Sequence, residues 1–205
     1  MERIPRHQGE TGAEAEMTLS PLEPFISAAV ERSRSKDEPA DCVLALAPLM
    51  FGLLARAGSF LEPRHYRSDP GGYTRNLVYE APDECMSLYA IVWQPGQWTP
   101  VHDHGSWGVV GVVEGVLEER NYVRLSPDRG ADTDIELVRG GMILLCQGAV
   151  TSFVPNPDHI HVTGVPTERP RAVSLHLYGR MMSSFNVYDV GARTRRRVDV
   201  AHNKS

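Results

Sequence analysis

The strongest constraint on the fold is a change in the residue pattern after Tyr73, where short runs of β-forming residues begin to alternate with turn residues. Strands are predicted at residues 77–79, 87–93, 108–113, 116–122, 135–138, 142–145, 150–154 and 172–178. Turn signals separate these runs, for example Pro95-Gly96 and Gly140-Gly141. Many short strands at even spacing predict an antiparallel sandwich or barrel.

Two helices are predicted before this β-rich part. Ser20 and Pro21 suit the start of a helix that runs to about residue 34, because Ser can cap and Pro tolerates the first turn. A second helix is predicted at about residues 40–57. Its apolar stripe at helical spacing consists of Val43, Leu44, Ala47, Met50, Phe51 and Leu54.

These patterns predict one domain. We expect residues 1–18, which are rich in Glu, Gly and Arg, to be disordered. Residues 19–205 are expected to form a single domain, with a helical annex at about 19–60 packed against a barrel at about 73–190. A chain of 205 residues is long enough for such a domain to bury a sizeable core.

Composition and charge exclude some classes of partner and indicate where the protein is found. The net charge of −5 and the pI of about 5.9 argue against a nucleic-acid-binding surface. The N-terminus lacks the apolar stretch of a secretory signal, and no run has the roughly 18 apolar residues that span a bilayer. Three widely spaced cysteines, Cys42, Cys85 and Cys146, predict neither a disulfide framework nor a thiolate zinc site. Cys85 and Cys146 lie in apolar strand contexts and are expected to be inert core thiols. We therefore expect a cytoplasmic protein that is a monomer or weak homo-oligomer.

The strongest chemical signal is His102-Asp103-His104. In an extended strand, residues two apart face the same side, so both imidazoles can point into a barrel and bind one metal. Imidazole suits divalent iron, zinc, copper or nickel. A third ligand has to come from a later strand, where His159 and His161 are both candidates.

The spacing around these histidines resembles the first motif of the cupin superfamily, G-x5-H-x-H-x3-E-x6-G. Gly96 and Gly115 occupy the outer glycine positions. Gly108 stands where many cupins carry a metal-binding Glu, so a metal here would lack that carboxylate. The resemblance implies a mainly β cupin fold, a double-stranded β-helix or jelly-roll barrel, with the N-terminal helices packed against it.

A second constellation follows in Ser174-Leu175-His176-Leu177-Tyr178. Its period of two places Ser174, His176 and Tyr178 on one face, where hydroxyl, imidazole and phenol can form a hydrogen-bonded chain. Buried polar groups need such partners, because an unpaired one costs stability. The alternative interpretation is a polar strand face exposed to water.

Together these segments resemble the cysteine dioxygenase family of thiol dioxygenases. The resemblance implies that Fe(II) is held by His102, His104 and His161, and that Ser174, His176 and Tyr178 form the family's catalytic triad. Tyr73 and Arg75, in the segment Tyr73-Thr74-Arg75-Asn76-Leu77-Val78, correspond to the residues that hold the substrate carboxylate. Trp93 also fits the pattern and is predicted to be a wall of the substrate pocket.

The resemblance implies that a small thiol, with L-cysteine favoured, is oxidised by O2 to its sulfinic acid. Some bacterial relatives have Gln at the position of Arg75 and prefer 3-mercaptopropionate, so Arg75 favours cysteine. Mammalian members carry a Cys that crosslinks to the triad Tyr; Gly108 stands there, which predicts an uncrosslinked Tyr178.

Three alternatives remain open at this point. A 3-mercaptopropionate or mercaptosuccinate dioxygenase would keep the reaction and change the substrate, and Arg180 is a candidate second cation for a dicarboxylate. A non-catalytic metal- or ligand-binding cupin would not need an oriented phenol. A zinc or nickel cupin isomerase would be expected to carry the Glu that Gly108 replaces.

Overall fold

The structure is a computed structural model that describes residues 20–35, 37–155 and 159–203. The described residues form two α-helices followed by eleven strands. The helices are α1 (Leu22–Arg34) and α2 (Pro39–Leu54). The strands are β1 (Thr74–Glu80), β2 (Ser87–Trp93), β3 (His102–Asp103), β4 (Gly108–Glu114), β5 (Val116–Arg124), β6 (Leu137–Cys146), β7 (Val150–Phe153), β8 (Ile160–Gly164), β9 (Ala172–Tyr178), β10 (Ser184–Asp189) and β11 (Thr194–Asp199).

The strands form two sheets with antiparallel pairing. One sheet has the order β1-β2-β9-β4-β7, and the other has the order β11-β10-β3-β8-β5-β6. Neighbours in space are mostly distant in sequence, so the chain crosses between the sheets as it does in a jelly roll. The predicted mainly β fold, a jelly-roll barrel with helices packed against it, is confirmed.

Strand β9 lies between β2 and β4 and is buried on both faces. On its outer face Leu175 and Leu177 join an apolar cluster with the helix residues Leu46 and Met50. On its inner face Tyr178 joins the barrel core. The helices therefore cover one side of the sheet, which leaves the other side to line the interior of the barrel.

The buried face of α2 differs from the predicted stripe. Leu44 and Phe51 are 71% and 64% exposed, whereas Leu46 and Leu53 are buried. A helix that is apolar almost all round has no unique stripe, so its spacing alone does not decide which side packs. The side that packs is set by the sheet beneath.

Two predicted β-runs, 135–138 and 142–145, belong largely to one strand, β6. The predicted turn at Gly140-Gly141 is instead a bulge, because the register shifts between Arg120 and Tyr122 of the facing strand β5. Strand β8 is the later strand that was predicted to carry the third histidine ligand. Strands β10 and β11 were not predicted, and β11 extends the sheet beyond the expected boundary at residue 190.

The three cysteines are unpaired. Cys85 and Cys146 were expected to be inert core thiols, but Cys85 is half-buried and Cys146 is exposed. Cys146 ends β6, which is an edge strand whose side chains are mostly exposed. The expectation for Cys146 was wrong because an apolar strand was equated with a buried one.

None of the described helices combines the length and apolar character required to cross a bilayer. The residues expected to be disordered, 1–18, lie outside the described part of the chain.

We propose that the helices and the barrel fold as a single domain, and a matched pair of leucine substitutions tests it. We expect Leu46→Ala to lower the free energy of unfolding by about 2–5 kcal/mol, because a fully buried leucine leaves a cavity. We expect Leu44→Ala, at an exposed position of the same helix, to change it by less than about 0.5 kcal/mol.

Urea denaturation followed by circular dichroism and by tryptophan fluorescence measures both variants. All three tryptophans lie outside the helices, in the β-rich part of the chain. Coincident shifts of the two signals in Leu46→Ala support one domain, whereas loss of helix signal ahead of the fluorescence change would contradict it.

Candidate metal and substrate site

Three buried histidines converge inside the barrel. His102 on β3 and His161 on β8 face each other in register, and His104 follows directly after β3. Their ring centroids lie 4.6–5.0 Å apart. One ligand atom from each lies within 4.8 Å of the others, which is a spacing that one metal ion can bridge. The two-residue strand β3 and the turn after it thus bring together the pair predicted from His-x-His.

The groups behind two of the rings, a carbonyl oxygen and a carboxylate, indicate which nitrogen faces inward. His102 Nδ1 lies 3.0 Å from the Pro100 carbonyl oxygen, so this nitrogen carries the proton and Nε2 presents its lone pair. His161 Nδ1 lies 3.2 Å from Glu119 Oε2, at ion-pair distance, but neither this nitrogen nor the buried Nε2 forms a hydrogen bond. A buried lone pair without a partner is costly, and a metal ion supplies the missing interaction. The three histidines therefore fit a metal site.

The barrel also keeps these imidazoles unprotonated. Burial lowers the pKa of His102 and His104 well below the ordinary imidazole value, and the neighbouring rings lower it further. Burial lowers the pKa of His161 as well, although Glu119 opposes the shift. Neutral imidazole is the form that binds a metal, so the group is ready to do so at neutral pH.

Phe153 explains why position 108 carries no side chain. A Cβ built on Gly108 would collide with the phenyl ring of Phe153 and would lie 2.9 Å from the Leu177 carbonyl oxygen. The same phenyl ring stacks on His104, with centroids 4.5 Å apart. Phe153 thus fills the space beside Gly108 and leaves no room there for a side chain.

The inner face of β9 carries a hydrogen-bonded chain. Trp93 Nε1 donates to Ser174 Oγ at 2.9 Å, and Ser174 Oγ lies 2.8 Å from His176 Nε2. His176 Nδ1 lies 3.3 Å from the Tyr178 hydroxyl oxygen. Because Ser174 accepts from Trp93, its own proton can go to His176 Nε2. His176 Nδ1 then donates to Tyr178, and the phenol proton is left to point into the cavity.

Burial fixes the protonation of this chain. It lowers the pKa of His176 to about 3, with smaller contributions from His161 and Arg75. It raises the pKa of Tyr178 above the ordinary phenol value, although the nearby Arg75 opposes this. Around neutral pH His176 is therefore neutral and Tyr178 keeps its proton, so Tyr178 is a hydrogen-bond donor.

Arg75 places one buried positive charge in the same space. Its guanidinium lies 4.5 Å over the ring of Tyr89, and Nη2 donates to the Met182 carbonyl oxygen at 2.8 Å. Nη1 is buried and has no hydrogen-bond partner. Tyr73 stacks on Trp93, with centroids 4.7 Å apart, and burial raises the pKa of the Tyr73 phenol. A desolvated cation with an unused donor favours an anionic ligand.

One cavity brings these groups together. Eight of the nine predicted site residues line it, and Ser174 lies behind His176. Residues that the sequence analysis did not single out complete the lining, namely Ile91, Thr99, Val110, Phe153, Thr163, Met182 and Phe185. Phe185 was missed because β10 was not predicted; Met182, in the loop before it, carried no sequence signal.

Arg180, the candidate second cation, is not among the residues that line this cavity. Its guanidinium donates to the carbonyl oxygens of His104 and Ser184 at 2.9 and 2.5 Å. Arg180 thus fixes the backbone next to the metal site. Among the lysines and arginines of the described chain, Arg75 alone lines the cavity.

Three solved structures resemble the chain at low sequence identity. A protein from Thermus thermophilus is 18% identical, with a TM-score of 0.42 over 59% of this chain and 97% of its own. A Klebsiella pneumoniae protein with a double-stranded β-helix domain is 15% identical, with a TM-score of 0.42 over 64% and 93%. A cupin-like protein from Thermotoga maritima is 15% identical, with a TM-score of 0.39 over 68% and 88%.

A family model described as cysteine dioxygenase type I matches residues 59–191, which is more than half of the 205-residue chain. The matched segment contains all nine predicted site residues.

Packing between positions 108 and 153 can be measured directly. We expect Gly108→Ala to lower the free energy of unfolding by about 1–3 kcal/mol, because the added methyl group overpacks the space against Phe153. In a Phe153→Leu background part of this cost should disappear, so a double-mutant cycle yields a favourable coupling. Gly52→Ala, at a helical position with open space, is the control and should not destabilise. Strictly additive costs would contradict this packing account.

Proposed function

This chain belongs to the cysteine dioxygenase type I family, and we propose that it is an Fe(II)-dependent thiol dioxygenase. In the proposed reaction a small carboxylate-bearing thiol takes up both atoms of O2 on sulfur and becomes a sulfinic acid. L-Cysteine is the favoured substrate.

The observation that carries this proposal is the placement of Arg75. Arg75 lines the cavity together with the three histidines and Tyr178, and its buried Nη1 has no hydrogen-bond partner. A ligand with a carboxylate at one end can pair with Arg75 while its other end reaches the histidines. The fork of donors on Arg suits a carboxylate better than the point charge of Lys does.

His102, His104 and His161 are proposed to hold the metal. A bound divalent ion would lower the pKa of the substrate thiol and supply the redox chemistry by which thiol and O2 combine. The protein residues do the rest: Arg75 and Tyr73 bind the carboxylate, and the apolar wall of Ile91, Val110 and Phe185 excludes water.

Tyr178 is proposed to orient the reacting oxygen or sulfur and to donate a proton to it. Its hydroxyl proton is directed into the cavity by the chain that runs from Trp93 through Ser174 and His176. A phenol that stays protonated can donate a hydrogen bond to the reacting oxygen or sulfur without carrying a charge itself. This oriented donor distinguishes the proposed enzyme from a cupin that only binds a ligand.

The number of positive charges that line the cavity limits the number of carboxylates on the substrate. A dicarboxylate such as mercaptosuccinate would call for a second cation, and Arg75 is the single Lys or Arg that lines the described cavity. Cysteine and 3-mercaptopropionate each carry one carboxylate, so 3-mercaptopropionate remains the alternative substrate. The partners we propose are the thiol and O2 alone, for a monomer or weak homo-oligomer in the cytoplasm.

Oxygen consumption tests the proposed function. The protein is loaded with iron without air and then given L-cysteine, 3-mercaptopropionate or mercaptosuccinate in parallel. We expect uptake with cysteine. Uptake with 3-mercaptopropionate alone would keep the reaction and overturn the substrate, and no uptake with any thiol despite bound iron would favour the binding-only cupin. A protein that holds zinc or nickel and consumes no oxygen would favour the isomerase alternative.

Arg75→Lys tests the carboxylate clamp. The charge is kept but the two-pronged donor is lost, so we expect KM for cysteine to rise about 10-fold or more, as for a charge-assisted hydrogen bond worth about 1.5–3 kcal/mol. Arg120→Lys is the matched control, because Arg120 also stacks over an aromatic ring, that of Trp98, outside the cavity. Equal KM values for the two variants would contradict the clamp.

Tyr178→Phe tests the phenol. We expect kcat to fall about 100-fold, in the range of a lost proton donor, with metal binding unchanged and KM altered little. Tyr122→Phe, on β5 away from the cavity, is the control and should behave like the native protein. A Tyr178→Phe variant with native kcat would show that the phenol has no part in the reaction.

A further inference from the structure

Glu119 lies directly behind the third histidine of the metal site. It is on β5, its side chain is 6% exposed, and Oε2 lies 3.2 Å from His161 Nδ1. Its other oxygen, Oε1, lies 3.4 Å from His159 Nε2. Each oxygen of this buried carboxylate is therefore next to one imidazole.

The register of the sheet produces this arrangement. Strand β5 pairs with β8 so that Glu119 lies opposite Thr163, two residues from His161 on the same face. Diagonal neighbours of this kind are within reach of long side chains. The preceding residue, Glu118, lies on the opposite face of the strand and pairs with Arg120 at 2.6 Å.

His159 holds the second oxygen in place. Its ring stacks almost parallel on Phe153, with centroids 4.5 Å apart and planes at 5°. Phe153 in turn stacks on His104. The position of His159 is thus set by packing, and its ring, 4.4 Å from that of His161 between centroids, lies beside the second carboxylate oxygen.

We propose that Glu119 is a positioning residue that orients His161 for the metal and supplies a negative charge near it, and that His159 fixes Glu119. A carboxylate that accepts the Nδ1 proton of His161 keeps Nε2 free as the ligand atom and makes that nitrogen more basic. The charge also has a clear purpose in this chain. Gly108 stands where the cupin motif carries a glutamate, and Glu119 would instead supply one negative charge from behind His161.

The same residues raise a competing possibility. Glu119, His159 and His161 lie close enough together to hold an ion of their own, with His161 shared between two ions through its two nitrogens. Positioning requires one metal per chain, whereas a shared histidine predicts two. Metal stoichiometry therefore separates the two assignments.

This inference rests on the proposed metal site but not on dioxygenase activity, so binding of metal alone tests it. Co(II) is titrated into the metal-free protein against a chelator, and its visible spectrum reports the ligand field. We expect one Co(II) per chain. We expect Glu119→Gln to weaken binding 10–100-fold and to change the spectrum, because a neutral amide oxygen accepts more weakly than a carboxylate and carries no charge.

Glu118→Gln is the matched control on the adjacent residue, similarly buried but facing Arg120, and should bind as the native protein does. His159→Phe keeps the stacking surface against Phe153 and frees one carboxylate oxygen, so we expect a smaller loss of affinity than for Glu119→Gln. Thermal unfolding of the metal-free variants shows that each is folded.

Native affinity and an unchanged spectrum in folded Glu119→Gln would overturn the positioning role. Two Co(II) per native chain, falling to one in Glu119→Gln, would overturn it in favour of a second metal centre. If no variant or native protein binds metal, the metal site itself fails and both proposals fall. If metal binds as expected but no thiol is oxidised, the proposed function fails while the role of Glu119 stands.

Discussion

The site depends on bringing three uncharged imidazoles together in the buried interior of the barrel, with their lone pairs directed at one point. Burial keeps His102, His104 and His161 neutral, but it also makes every unpaired nitrogen costly. The rings therefore need partners behind them. The Pro100 carbonyl oxygen accepts a hydrogen bond from His102, and the Glu119 carboxylate lies 3.2 Å from His161 Nδ1. The short strand β3, the strand β8 opposite it and the strand β5 beside that one are the elements that set this geometry.

The two sheets contribute different groups of site residues. The metal-side residues on strands, His102, Glu119 and His161, belong to the six-stranded sheet. Arg75, Trp93 and the Ser174–Tyr178 face belong to the five-stranded sheet. The helices cover the outer face of that second sheet, so its inner face can carry a cation and a chain of polar groups without losing its apolar support. The cavity between the sheets is where a ligand would meet both sets.

Much of this was predictable from sequence, because it rests on period-two patterns and short motifs. His102 with His104, and Ser174 with His176 and Tyr178, are each two residues apart, so a strand or turn presents them together. The parts that were missed depend on pairing between distant strands. Nothing local indicates that Glu119 meets His161, that Phe153 fills the space beside Gly108, or that Trp93 donates to Ser174. The buried side of α2 was misjudged for the same reason, since the sheet beneath decides it.

The most direct measurement of the central claim is the origin of the product oxygens. The iron-loaded protein is given L-cysteine under ¹⁸O₂, and the product is examined by mass spectrometry. A cysteine binding site that unites the thiol with O2 predicts a sulfinate in which both oxygens on sulfur carry the label. Cystine with hydrogen peroxide, or a sulfinate that carries unlabelled oxygen from water, would contradict the account.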